Sequence, residues 1–133
     1  MQEKTSYLLQ YLQTRYGAEP EYPWLTSPQN AIFRNPRTGK WFAVLLGSLP
    51  KRCLGLAEHG ETDVLNLKCD PIMTFSLIDQ KRIFRAYHMN KTHWISVRLD
   101  SGIEMDELAF LINMSYDLVD KQKRRKTKET NNT

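Results

Sequence analysis

The stretch with the most chemistry-bearing side chains is residues 86–99, AYHMNKTHWISVRL. If Asn90 and Lys91 form a two-residue turn, the flanking segments pair as antiparallel strands and His88 lies opposite His93. Their Cβ atoms would then be about 5 Å apart, close enough to share a metal ion or a proton. Two ligands do not complete a metal site, and no spacing in the chain demands a third. We therefore interpret them as histidines hydrogen-bonded at the sheet margin, and we expect no metal site.

The same pairing predicts which side chains share a face of this hairpin. One face would carry Ala86, His88, His93, Ile95, Val97 and Leu99, and the other Tyr87, Trp94, Ser96 and Arg98. The apolar end of the first face is typical of a strand that lies on a core. The second face, with two aromatic rings and a guanidinium, can remain exposed to solvent or bind a ligand.

A second possible chemistry is nucleic-acid binding, because basic groups can hold phosphates while a neighbouring ring stacks on a base. An earlier hairpin around the turn at residues 35–39 brings basic side chains to its tip, and an uncovered sheet face would add others. The alternative is that these are solvated charges and that Trp41, Trp94 and Tyr87 pack against each other. The candidate nucleic-acid-binding residues are Arg34, Arg37, Lys40, Lys68, Lys91, Trp94, Arg98, Lys121, Lys123, Arg124 and Arg125.

The net charge of +4 is distributed unevenly along the chain. Residues 1–120 hold 13 Lys and Arg against 14 Asp and Glu, whereas residues 121–133 hold six basic groups against one Glu. We predict one domain over residues 1–120 and a disordered basic tail over residues 121–133. Such a run is typical of a solvated extension, but it can also bind phosphates.

Catalytic signatures are missing from the sequence. It contains no Gly-rich Lys-Ser/Thr loop, no Gly-X-Ser-X-Gly elbow and no His-Glu-X-X-His helix, so we expect no catalytic residues, no enzyme activity and no cofactor. The longest apolar run is too short to span a bilayer and no export signal is apparent, which indicates a cytoplasmic protein without a membrane partner. Cys53 and Cys69 are accordingly interpreted as unlinked thiols.

The elements that must position these residues follow from periodicity. Apolar residues at helical spacing predict a helix over 3–16, and the three prolines of 18–30 predict an extended connector whose Trp24 and Leu25 tuck under the domain. Strands follow at about 31–35, 40–48 and 64–69, and in the third of them Leu65, Leu67 and Cys69 alternate with Val64, Asn66 and Lys68.

Two further helices complete the predicted fold. Asp70-Pro71 starts a short helix to about residue 79 with Ile72, Phe75 and Ile78 inward. The last helix begins near residue 104, with acidic residues in its first turn. The fold class is therefore α+β, a two-layer sandwich with a five-stranded antiparallel sheet and helices on one face, in the order α-β-β-β-α-β-β-α.

Four segments, RNPRTGKWFAVLL, DVLNLKCDP, AYHMNKTHWISVRL and SYDLV, in this order and spacing resemble the MmcQ/YjbR family. The resemblance runs from about residue 4 to residue 119 and leaves the basic tail outside. It implies a bacterial cytosolic protein whose fold is similar to type III secretion chaperones and which is labelled DNA-binding through a "double wing" of hairpins. It implies no catalytic motif and no list of functional residues.

Taken together, the residues and the resemblance predict weak, largely non-sequence-specific DNA binding by the two wings and the basic tail. The alternative is a protein-interaction module, similar to a secretion chaperone, that uses the uncovered sheet face. The expected partner is DNA or another protein, and the expected state is a monomer or a weak dimer.

Overall fold

The computed structural model describes the backbone of residues 3–131 and the side chains of residues 3–120. Its elements are α1 (Glu3–Tyr16), β1 (Ala31–Arg34), β2 (Trp41–Pro50), a 3-10 turn (Lys51–Leu54), β3 (Glu61–Lys68), α2 (Pro71–Leu77), β4 (Ile83–Arg85), β5 (Trp94–Arg98) and α3 (Met105–Asn131). Over the described residues, five antiparallel strands form one sheet in the order β1-β2-β3-β5-β4. The predicted α+β class and element order are confirmed.

The first helix forms and ends as its sequence predicts. Leu8, Leu12 and Tyr16 recur at helical spacing and are buried, so one stripe of α1 packs on the sheet. The chain leaves the helix at Gly17, whose φ of +65° is readily adopted by glycine and whose N–H donates to the Gln13 carbonyl at 3.0 Å.

The three helices supply one face of the sheet with its core. From α3, Leu108, Leu111, Ile112 and Val119 are buried against the sheet. Ser115 is buried among them, and its hydroxyl joins two strands: it donates to the Phe42 carbonyl and accepts from the Lys68 N–H. Both cysteines are free, as predicted.

The N-cap of α2 is at the predicted residue, but two side chains predicted to be buried are exposed. The Asp70 side chain accepts a 2.9 Å hydrogen bond from the Ile72 N–H, which confirms the cap. Ile72 and Phe75, predicted to point inward, are 88% and 84% exposed, whereas Ile78, predicted likewise, packs against the core together with Met73 and Leu77. Several of the seven residues of α2 are apolar, and they form two possible buried faces. Periodicity alone therefore did not determine which of the two faces is buried.

The second face of the sheet is not uncovered, which corrects the expectation on which the protein-interaction alternative depended. A second apolar cluster, here called the loop-side cluster, fills it. Its buried members are Ile32, Val44, Leu46, Val64, Ala86 and Trp94, and its partly buried members are Trp24, Trp41, Leu49, Leu54, Tyr87 and Met89. Trp41, Trp94 and Tyr87 therefore belong to one packed cluster, as the solvated-charge alternative supposed.

The β4–β5 hairpin differs from its prediction in position and register. β4 ends at Arg85, and Arg85 pairs with Ile95, so the register is shifted by one residue from the predicted pairing of Tyr87 with Trp94. Residues 86–93 form a loop rather than a two-residue turn. One reason is Asn90, whose side-chain oxygen accepts from the N–H groups of Thr92 and His93 and so builds a local turn.

The one-residue shift also moves Ala86 to the other face, because side chains alternate along a strand. Ala86 packs in the loop-side cluster, whereas Ile95, Val97 and Leu99 lie in the helix-side core as predicted.

The connector before β1 is anchored at two points. Glu21 pairs with Ile32 through two backbone hydrogen bonds, which occupies the edge of β1. Trp24 packs edge-on against Trp41 with ring centroids 6.1 Å apart, as expected of a residue tucked under the domain. Leu25 does not follow it, because its side chain is 97% exposed.

The end of α3 overlaps the predicted tail. Its backbone is helical to Asn131, while the side chains of residues 121–133, and with them Lys121, Lys123, Arg124 and Arg125, lie outside the described residues. The disordered tail therefore stays a prediction. Within the residues that the structure describes, no helix is both long enough and apolar enough to cross a membrane.

Candidate functional site

One end of the sheet gathers the predicted DNA-binding segments. Because adjacent strands are antiparallel, β1, β3 and β4 finish at the end where β2 and β5 start. The turn at residues 35–40, the junction at residues 69–70 and the loop at residues 86–93 therefore lie there together, and we call these segments the wing end.

The C-terminal part of α3 reaches the wing end through an ion pair. The Arg37 guanidinium donates to the Asp120 carboxylate at 2.7 and 2.9 Å and to the Asp120 carbonyl at 2.8 Å. Asn35 donates to the same carboxylate at 3.3 Å. The basic tail, which starts at residue 121, thus leaves the described domain beside the first hairpin turn.

Besides Arg37, two further predicted phosphate ligands are held by carboxylates. Arg34 donates to Glu21 at 2.9 and 3.2 Å and lies over the Trp41 ring. Arg98, whose side chain is 13% exposed, pairs with Asp100 at 2.6 Å and with Glu58 at 3.4 Å. Both guanidiniums are therefore engaged by carboxylates of the domain.

Lys40 and Lys68 are neighbours at the wing end. Burial, followed by the charge of Lys40, lowers the pKa of Lys68. The positive charge of Lys40 therefore disfavours the charged form of Lys68.

Several other cations of the described region lie near the sheet without a carboxylate partner. Four of them make no ion pair with any residue whose side chain is described: Lys40 and Lys91 at the wing end, Arg85 at the end of β4, and Arg52. Lys81, which precedes the start of β4, shares that property but lies at the opposite end.

Trp94 does not offer its ring to an unpaired base. The side chain is 9% exposed and packs in the loop-side cluster, so stacking on a base requires the cluster to open. The sequence pattern places it on the correct face of β5, but it could not show that loops cover that face.

A buried polar network on this face was missed by the sequence analysis. Asn66 donates from its amide to the Tyr87 carbonyl at 2.9 Å, and Ser96 accepts from the Tyr87 N–H at 2.9 Å. These contacts hold the start of loop 86–93 down on the sheet. Asn66 and Ser96 are polar residues directly opposite each other in β3 and β5, which is the signal that could have indicated the network.

The two histidines of the predicted pair are loop residues. Both are exposed, and His88 adopts a positive φ of 63° with its ring 4.0 Å from that of Tyr87. In the described part of the chain, no group of three or more His, Cys, Asp or Glu side chains is placed to hold a metal ion.

Comparison with known proteins identifies the family that shares this architecture. The family model described as YjbR matches residues 13–118. The chain belongs to the YjbR family. The predicted resemblance is confirmed over the domain, and the basic tail lies outside the matched residues.

Relatives of this YjbR protein share most of the domain. YyaQ of Bacillus subtilis (strain 168), described as uncharacterized, is 38% identical over 111 residues, which cover 84% of this chain and 93% of YyaQ. A Pseudomonas syringae crystal structure superposes with a TM-score of 0.82 at 34% identity, covering 90% of this chain and 99% of the other. A Deinococcus radiodurans structure, with a TM-score of 0.59 at 22% identity over 81% of this chain and 75% of the other, shares the fold.

Proposed function

We propose that this YjbR-family protein binds DNA weakly and without marked sequence preference, through the wing end and the basic tail acting together. The observation that carries the proposal is the ion pair between Arg37 and Asp120, which holds the first hairpin turn against the residue that precedes the tail. Cations of the hairpin and of the tail can therefore approach one stretch of phosphate backbone.

The charge distribution accounts for the expected weakness. Residues 1–120 carry one more acidic than basic group, so the domain alone can displace few counterions from a duplex. Lys40 and Lys91 supply wing-end cations without an acidic partner among the described side chains. The six basic residues of the tail, set against one Glu, give residues 121–133 a strong excess of positive charge.

Contacts to the phosphate backbone carry no sequence information, which is why the proposal includes no sequence preference. Arg34 and Arg98 are not assigned to the interface because each is engaged by carboxylates. Trp94 is not assigned as a stacking residue because it is buried.

The test is fluorescence anisotropy of a labelled duplex from low to physiological salt. Each phosphate neutralised steepens the log–log salt dependence by about 0.9, so deleting residues 121–133 should flatten the slope by several units if most tail cations engage. The double variant Lys40→Ala/Lys91→Ala should flatten it by about two units in the full-length chain.

Lys81→Ala is the matched control, since Lys81 is exposed and lies at the far end of the sheet. It should leave the slope of the full-length protein unchanged. A wild-type protein that fails to bind at low salt would overturn the proposal. An effect of the tail deletion alone would show that the wings are structural hairpins.

A further inference from the structure

A cavity of about 410 Å³ lies where the 3-10 turn, β4 and the loop 86–93 meet. Its walls include the apolar side chains of Leu54, Leu56 and Phe84, and the phenol of Tyr87 lies among them. Its volume falls within the range of roughly 300–1,000 Å³ typical of small-molecule sites, which are mostly apolar with a few polar groups that fix orientation.

The cavity has a positive electrostatic character. Arg85 and Lys91 line it, and neither has an ion pair with a described side chain. No Asp or Glu occurs among the described residues that line it. Arg52 adds a third positive charge close enough to act on the Tyr87 phenol, whose pKa is raised chiefly by its hydrogen bond to the Cys53 thiol.

The wall on the loop side is fixed rather than assembled by a ligand. Asn66 and Ser96 hold the backbone of Tyr87 through hydrogen bonds of 2.9 Å each, and Met89 packs in the loop-side cluster. A site built on such a held loop loses little conformational entropy when it is filled.

We propose that this cavity binds a small organic anion, with the apolar body of the ligand against Leu54, Leu56 and Phe84 and its carboxylate or phosphate group at Arg85 and Lys91. The inference goes beyond DNA binding, because it concerns a free small molecule in a cavity beside β4. It does not depend on the tail or on Lys40.

The test is titration of the full-length protein with naphthoate and naphthyl phosphate, followed in two-dimensional amide NMR spectra. Amides of residues 53–56, 84–87 and 91 should shift together and saturate with at least one of the two anions. Neutral naphthalenemethanol should bind at least about tenfold more weakly, since a charge-assisted hydrogen bond contributes about 1.5 kcal/mol or more. For the same reason Lys91→Ala and Arg85→Ala should each raise the Kd of the anion about tenfold.

Lys40→Ala serves as the matched control, because it removes a cation of the first hairpin turn that is not among the described lining residues. It should leave the Kd of the anion unchanged while it flattens the salt dependence of DNA binding, so the two proposals can fail separately. Amide spectra of every variant should retain the dispersion of the folded domain. Equal affinity for the anions and the neutral alcohol would overturn the inference, as would unchanged affinity in both cavity variants or no saturable shift with either anion.

Discussion

Ser96 donates a 2.5 Å hydrogen bond from its hydroxyl to the side-chain oxygen of Asn66, and neither residue has exposed surface. With the two bonds to Tyr87, this pair satisfies the polar groups of a loop lying on an apolar sheet face. Asn66→Ala should lower the free energy of unfolding by about 2–3 kcal/mol, because it leaves the buried Ser96 hydroxyl without its acceptor and the partly buried Tyr87 carbonyl without its donor. Urea denaturation measures the loss.

A second readout tests whether the same pair holds the loop. Amide hydrogen exchange at Tyr87 and its neighbours should accelerate in Asn66→Ala more than exchange in α1. Thr26→Ala, at an exposed connector residue, should change stability by less than about 0.5 kcal/mol. Slow exchange at Tyr87 in the Asn66 variant would contradict the role given to the network.

The Asp70 cap is tested by Asp70→Ala. The variant leaves the Ile72 N–H without its side-chain acceptor and should cost about 1 kcal/mol of unfolding free energy. Because α2 also contacts loop 86–93 through the Thr74 hydroxyl, which donates to the Thr92 carbonyl, we expect loop amides to shift as well. Chemical denaturation is the primary measurement, and a loss within experimental error would disprove the cap's contribution.

Asp79 gives the domain a pH dependence. Burial acts to raise the pKa of Asp79, but backbone N–H groups of Ile83, Arg82 and Lys81, together with the Arg82 guanidinium, outweigh it and hold the pKa well below its usual range. A depressed folded-state pKa contributes stability that is present above the unfolded value, about 4, and is lost as pH falls toward the folded value.

The corresponding variant is Asp79→Asn. At neutral pH it should lower the free energy of unfolding by about 1–2 kcal/mol, because solvent screens the partly exposed carboxylate. The difference in stability from wild type should shrink below about pH 4. Denaturation curves from neutral to acidic pH measure it. Asp117→Asn, at an exposed position of α3, should change the free energy of unfolding by less than about 0.5 kcal/mol. A difference that is constant with pH would contradict the assignment.

Much of the fold could be predicted because several local signals agreed. Apolar spacing in α1, the cap at Asp70 and the alternation of Leu65, Leu67 and Cys69 each matched the structure. These features depend on neighbours in sequence, so the chain itself contains the information needed to recognise them.

The candidate site could be predicted less well because it depends on contacts between distant segments. The sequence does not reveal that Arg34 pairs with Glu21 or that Arg98 pairs with Glu58. Both guanidiniums were therefore predicted to be available for phosphate binding. The polar segment around Asn90 was also predicted to form a tight turn. The structure shows that this run folds back over the sheet, because Asn66 and Ser96 supply the hydrogen bonds that Tyr87 would otherwise lose.

The ion pair between Arg37 and Asp120 leads to a prediction in which stability and DNA binding change in opposite directions. Asp120→Ala removes the carboxylate that holds Arg37, so the free energy of unfolding should fall by up to about 1 kcal/mol. The released guanidinium lies at the wing end, where it can contact a phosphate, and the log–log salt slope should steepen by up to about 0.9. Urea denaturation and duplex anisotropy measure the two effects on the same protein.

Asp117→Ala separates release of Arg37 from a change in net charge. Asp117 is exposed one turn earlier on α3 and makes no ion pair with a described side chain, so its removal alters charge equally without freeing any cation of residues 3–120. We expect its salt slope to match that of wild type. If both variants steepen the slope equally, general charge governs binding and Arg37 does not join the interface. If neither does while Asp120→Ala still loses stability, the ion pair is structural and the first hairpin contributes to DNA binding through Lys40 alone.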